Sequence, residues 1–81
     1  MLLKPITSEK AVKMIEIDNT LLFSTERRAK KPEIKKAVEE MFKVKIDKVN
    51  TFVNADGEKR AYVKFSSKNP AIDIATQLGL M

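Results

Sequence analysis

The 81-residue sequence contains no cysteine and no histidine. The first absence removes disulfide staples, thiol nucleophiles and iron–sulfur clusters, and the two together remove the usual zinc sites. Without histidine the chain also lacks the side chain that most often does acid–base work near neutral pH. Its serines and threonines have no partner for the familiar catalytic triad. Glycine is scarce: Gly57 falls in a turn and Gly79 at a helix end, so neither belongs to a phosphate-cradling loop. The carboxylates sit beside lysines, and adjacent Glu39 and Glu40 read as a solvated, salt-bridged helix surface. No apolar run approaches the ~20 residues of a membrane span. Met1-Leu2-Leu3 stops at Lys4-Pro5, so no signal peptide is read. The expectation is a soluble, cytoplasmic, non-enzymatic protein with no metal, no cofactor and no membrane insertion.

What the chain does hold is enough apolar material, 43%, for one small core, and an unusually high charged fraction of 33%. The charge is unevenly placed. Arg27, Arg28, Lys30, Lys31, Lys35 and Lys36 stand against Glu33 alone, a local excess equal to the whole chain's +5. A concentrated basic patch on an otherwise balanced protein points to a polyanionic partner, and the alternative is a solvated lysine-rich surface.

The hydrophobic pattern predicts the order helix, strand, helix, strand, strand, helix: an α+β domain with a small antiparallel or mixed sheet of three to four strands. Thr7 or Ser8 caps the first helix, in which Ala11, Met14 and Ile15 share a face, and Asp18-Asn19 ends it. Thr20 to Thr25 is a strand. Pro32 takes the first helical position ahead of the longest stripe, Ile34, Ala37, Val38, Met41 and Phe42. Glu39 and Lys43 are spaced for an ion pair on its outer side. Lys45 to Asn54 and Lys59 to Ser66 form a hairpin about Asp56-Gly57, with a bulge near Asp47-Lys48. Asn69 caps the last helix, Ala71, Ile74, Ala75 and Leu78 line it, and Gly79 stops it.

Two places carry candidate chemistry. The loop from Glu26 into the second helix puts Arg27, Arg28, Lys30 and Lys31 where a helix N-terminus already favours phosphate. In the hairpin, Phe52 and Tyr62 are candidates to share a face with Asn50, Arg60 and Lys64, rings and cations that suit RNA. The competing reading buries the two rings under a helix, and it is the favoured one for Phe52. For Tyr62 both readings stand. An aromatic fraction of 6% is low for a stacking platform.

Three segments in this order resemble one family: Pro5-Ile6-Thr7-Ser8-Glu9-Lys10-Ala11, Ile34–Phe42 through Lys48-Val49-Asn50-Thr51, and Asp56-Gly57-Glu58-Lys59-Arg60-Ala61-Tyr62-Val63-Lys64. Their order and spacing are similar to those of the large-subunit ribosomal protein twenty-three family, over nearly the whole chain. The resemblance implies a single rRNA-binding domain over residues 1–81, placed beside the exit of the nascent-chain tunnel among neighbouring ribosomal proteins. It implies a docking place for trigger factor in bacteria, and for the signal recognition particle and the Sec translocon more widely. The family's serine-glutamate-lysine run is Ser8-Glu9-Lys10 here, which makes Thr7, Ser8 and Glu9 candidate factor contacts. Asn50, Thr51, Lys59, Arg60, Tyr62 and Lys64 match the RNA-facing signature and join Arg27, Arg28, Lys30, Lys31, Lys35 and Lys36 as candidate RNA contacts. Val49, Val53, Ala61, Val63 and Phe65 are then core, with Phe65 where the family more often has leucine.

The turn Asn54–Glu58 is short where bacterial members carry a long hairpin, and the Ile-Asp-Ile-Ala and Leu-Gly-Leu ending resembles archaeal or eukaryotic members. The absence of a basic N-terminal extension favours the archaeal type. The alternative function is a free-standing single-stranded RNA- or DNA-binding module.

Overall fold

A computed structural model describes residues 3–79. The elements run β1 (Leu3–Pro5), α1 (Glu9–Asp18), β2 (Thr20–Thr25), α2 (Lys31–Phe42), β3 (Ile46–Val53), β4 (Lys59–Phe65) and α3 (Ala71–Gln77). The strands form one sheet in the order β1-β2-β4-β3, and every pairing is antiparallel. The fold is α+β, as the hydrophobic pattern predicts, with one addition. The pattern does not predict β1, because three residues ending in proline carry no alternation to read. It sits at the sheet edge, where a proline without an N–H breaks no ladder, and Ile6 N extends the pairing by donating to Leu22 O at 2.9 Å.

Alternation sorts β4. Ala61, Val63 and Phe65 are fully buried, and beneath them Ile34 and Val38 of α2 and Ala71, Ile74 and Ala75 of α3 complete one core with Leu21, Phe23, Ile46 and Val49. The strand β2 is buried on both sides: Leu21 and Phe23 join this core, while Leu22 and Thr20, which point the other way, are also covered. Between Ile46 and Lys48 the β3–β4 register shifts by one residue, the bulge expected near Asp47-Lys48.

Several local expectations are corrected. Met41 is 55% exposed and Val53 is 52% exposed, so the second helical stripe ends at Val38 with Phe42 only half-buried, and Val53 lies past the reach of the helices. Pro32 is the second helical residue, after Lys31. Lys43 lies beyond the helix in a left-handed conformation (φ 55°), which breaks the i,i+4 geometry with Glu39. The Glu39 carboxylate instead accepts from Ile46 N at 3.1 Å, tying α2 to the start of β3.

The cap of α3 is not Asn69, whose side chain accepts from Lys45 N at 3.0 Å. Asn19, fifty-two residues away from Ala71 in sequence, takes that role: its Oδ1 accepts from Ala71 N. The same side chain donates to the carbonyls of Phe65, Ser66 and Asn69 at 3.1–3.3 Å. Asn19 is left-handed (φ 53°), a conformation asparagine tolerates better than most residues. One amide thus ends α1, closes the β4–α3 connection and starts α3.

Candidate nucleic-acid interface

The face of β4 opposite the core is open, and the antiparallel register lays its residues out in rungs, since partners directly across a ladder share a face. The first rung runs Lys4, Ser24, Arg60, Phe52 across β1, β2, β4 and β3; the second Leu22, Tyr62, Asn50; the third Thr20, Lys64, Lys48. Successive rungs lie about 7 Å apart, twice the rise of a strand residue.

Helix α1 covers the β2 side of this face. Its Met14 and Asp18 form one wall of a groove of about 280 Å³, with Thr20, Asn50, Tyr62, Lys48 and Lys64 along the floor and rim. Phe52 and Tyr62 stack on each other with ring centroids 5.1 Å apart and planes at 21°. Neither ring is packed beneath a helix core, yet the mutual stack takes up one face of each.

Two features of the cations on this face stand out. Lys48 and Lys64 are exposed and stand directly opposite each other, a like-charge pair that weakens a sheet. Arg60 carries a buried Nε with no hydrogen-bond partner. Its nearest carboxylate, Glu58 Oε1, is 3.9 Å away and already accepts from Ser24 Oγ at 2.6 Å.

The basic loop is held in place from within. Ala29 is buried in the core, its N–H closes a turn on Glu26 O at 3.1 Å, and its carbonyl accepts from Lys59 Nζ. Arg27, Arg28, Lys30 and Lys31 are left exposed on either side of that pin, with Lys35 and Lys36 exposed on α2. Arg27 reaches the hairpin: one terminal nitrogen lies 3.8 Å from where a side chain on Gly57 would begin. Gly57 itself adopts φ +83°, which disfavours any such side chain. The loop cations and Arg60 therefore lie at the same end of the sheet.

Of the hairpin residues predicted to contact RNA, Asn50, Arg60, Tyr62 and Lys64 come together on the open face. Thr51 and Lys59 do not: they alternate with Asn50 and Arg60, so the pleat turns them to the covered side, where Lys59 is spent on the Ala29 carbonyl. Lys48 and Lys4 belong to this face without having been predicted there. The bulge resets the phase of β3 and brings Lys48 to the open face, and the position of that bulge was the available signal. Lys4 had none, because β1 has no readable period. At the other end of the chain, Thr7, Ser8 and Glu9 are exposed, and Ser8 Oγ caps α1 by accepting from Ala11 N at 3.1 Å. Among the described residues no cluster of acidic side chains could hold a metal ion, and no helix is long and apolar enough to cross a membrane.

The sequence model of the ribosomal protein L23 family matches residues 1–76. The chain is also similar to the large ribosomal subunit protein uL23 of Trypanosoma brucei brucei, with 47% identity over 77 residues that take in 95% of this chain and 47% of that protein. The chain thus spans about half the length of the curated relative it matches.

Proposed function

The chain belongs to the ribosomal protein L23 family, and from that premise we propose that residues 1–81 act as one rRNA-binding domain and structural constituent of the large ribosomal subunit in the cytoplasm. Two surfaces anchor it. The open sheet face contributes Arg60, Tyr62, Lys64, Asn50 and Lys48, and the pinned loop contributes Arg27, Arg28, Lys30 and Lys31, with Lys35 and Lys36 flanking. The observation that carries this reading is the gathering of exposed cations on these surfaces, above all Lys48 and Lys64 facing each other across one rung with Arg60 on the same sheet face. An arrangement that weakens the free protein becomes favourable once phosphates lie across it. The exposed start of α1, with Thr7, Ser8 and Glu9, is then free to face the tunnel exit, neighbouring ribosomal proteins, the signal recognition particle and the Sec translocon.

The free-standing single-strand binder is less well supported, because Phe52 and Tyr62 spend one face each on one another and cannot form a platform for several successive bases.

The test is co-sedimentation with large subunits through a sucrose gradient, before and after a high-salt wash. Changing Arg27, Arg28, Lys30 and Lys31 together to glutamate should remove the protein from the large-subunit peak while its thermal unfolding stays in place, since all four side chains are exposed along the loop and the first residue of α2. Each phosphate that the variant no longer neutralises should reduce the slope of log affinity against log salt by roughly 0.7 to 0.9. Retention in the peak overturns the anchoring role. In the same gradients Glu9→Ala should stay ribosome-bound and recruit less signal recognition particle. The Glu9–Lys13 pair it removes is 3.8 Å long and exposed, so the fold loses little.

A further inference from the structure

Resting on the RNA-anchoring role, we propose that the groove between α1 and the Tyr62 rung receives one unstacked guanine, held along its Watson–Crick edge by the Asp18 carboxylate. The groove of about 280 Å³ falls just below the roughly 300–1,000 Å³ of ordinary small-molecule sites. It opens on the same face as the cations, so it suits a single flat group presented by a strand lying across that face. Met14 supplies a polarizable thioether on one wall and Tyr62 an aromatic ring on the floor, the apolar surroundings a splayed-out base seeks.

Asp18 is the residue that selects the base. Asp18 lines the same groove as Lys48 and Lys64 and offsets part of their charge, which makes this spot less suited to a phosphate than to a group that donates hydrogen bonds. Helix stability does not account for the carboxylate: Asp18 closes α1 at its C-terminal end, where the dipole disfavours an anion, and the last turn holds no basic residue. An ionised carboxylate only accepts hydrogen bonds. Guanine alone among the four bases presents two adjacent donors on one edge, N1–H and the N2 amino group, matching the two carboxylate oxygens. Its O6 and N7 acceptors are then available to the lysine ammonium groups.

The experiment binds the full chain to large-subunit rRNA of the same organism and probes the complex with kethoxal, which reacts with N1 and N2 of unpaired guanines. One reactive guanine should become protected by the wild-type protein. With Asp18→Asn, which keeps the side-chain shape and relieves the helix end, the RNA should stay bound while that guanine regains about tenfold or more reactivity, the scale of one bidentate base contact. Inosine at that position, lacking the N2 amino group, should weaken binding of the wild type by a similar factor, a reading independent of how the variant folds. Protection that survives Asp18→Asn together with indifference to inosine overturns the guanine site and leaves the RNA-anchoring role standing. Failure of the wild-type chain to bind the rRNA at all overturns both.

Discussion

Consecutive residues of β4 lead opposite lives. Ala61, Val63 and Phe65 lie under two helices and are fully buried, whereas Arg60, Tyr62 and Lys64 face a surface that only α1 partly covers. The covered side is chosen by hydrophobicity and tolerates few alternatives. The open side keeps features that packing did not select: two lysines across one rung, a guanidinium Nε without a hydrogen-bond acceptor, and a carboxylate at the C-terminal end of a helix. The difference shows where to look for function in a small domain, since strain that packing cannot explain is relieved by a partner.

The contrast is sharpest in a pair of substitutions on one strand, and the covered side should lose most. Phe65 is among the largest fully buried side chains. Phe65→Ala should cost about 3–5 kcal/mol, the lost transfer energy plus a cavity that the surrounding core cannot close. In a domain of this size, which buries only about 60% of its extended-chain surface, that threatens the folded state itself. Urea denaturation at 25 °C measures it, and a loss below about 1 kcal/mol would mean that the covered face is more forgiving than its burial implies.

Next in size is the clasp that joins the two ends of the fold. Asn19→Ala replaces an asparagine in the left-handed region, removes the cap on Ala71 N, and takes away the one amide NH2 that is shared among three carbonyls. A lost cap costs about 1 kcal/mol, and part-buried carbonyls left without their donor add about 1–3 kcal/mol, for an expected loss of about 2–4 kcal/mol. Hydrogen exchange should locate the damage in α3 and its connection to β4, leaving β3 protected. Uniform loss of protection would show instead that Asn19 holds the whole sheet.

Asn19 also marks the limit of what the sequence discloses. Its partners lie 46 to 52 residues away, so no local signal distinguishes it from an ordinary helix stop, and Asn69-Pro70 offers a convincing local cap in its place. By contrast the burial of Ala61, Val63 and Phe65 was legible, because period-two alternation records it directly. The family resemblance holds at the level of the chain, while the pleat divides its contiguous motifs Asn50-Thr51 and Lys59-Arg60 each between two faces of the sheet. Lys48 and Lys4 escaped for geometric reasons, a bulge that shifts the phase of β3 and an edge strand too short to show a period.

Tyr62→Ala carries the smallest cost to the fold and the most information about the open face. Tyr62 is half-buried, and its ring gives up a stacked partner, Phe52, worth about 0.5–1.5 kcal/mol beyond area burial. With the partly buried area it also loses, stability should fall by about 1–2 kcal/mol, short of Phe65→Ala on the same strand. Binding to large-subunit rRNA should fall further, since a base deprived of its aromatic surface loses about 1–3 kcal/mol, equivalent to roughly 5- to 150-fold in affinity. The salt dependence should stay unchanged, because no cation is removed. Parallel urea melts and rRNA titrations at several salt concentrations separate these effects. If Tyr62→Ala lowers stability as much as Phe65→Ala and leaves rRNA affinity intact, the ring belongs to the core and the two faces of β4 are more alike than their exposure suggests. If affinity falls while the melt barely moves, the open face is maintained for a ligand, and Phe52 serves to hold the Tyr62 ring in position to meet it.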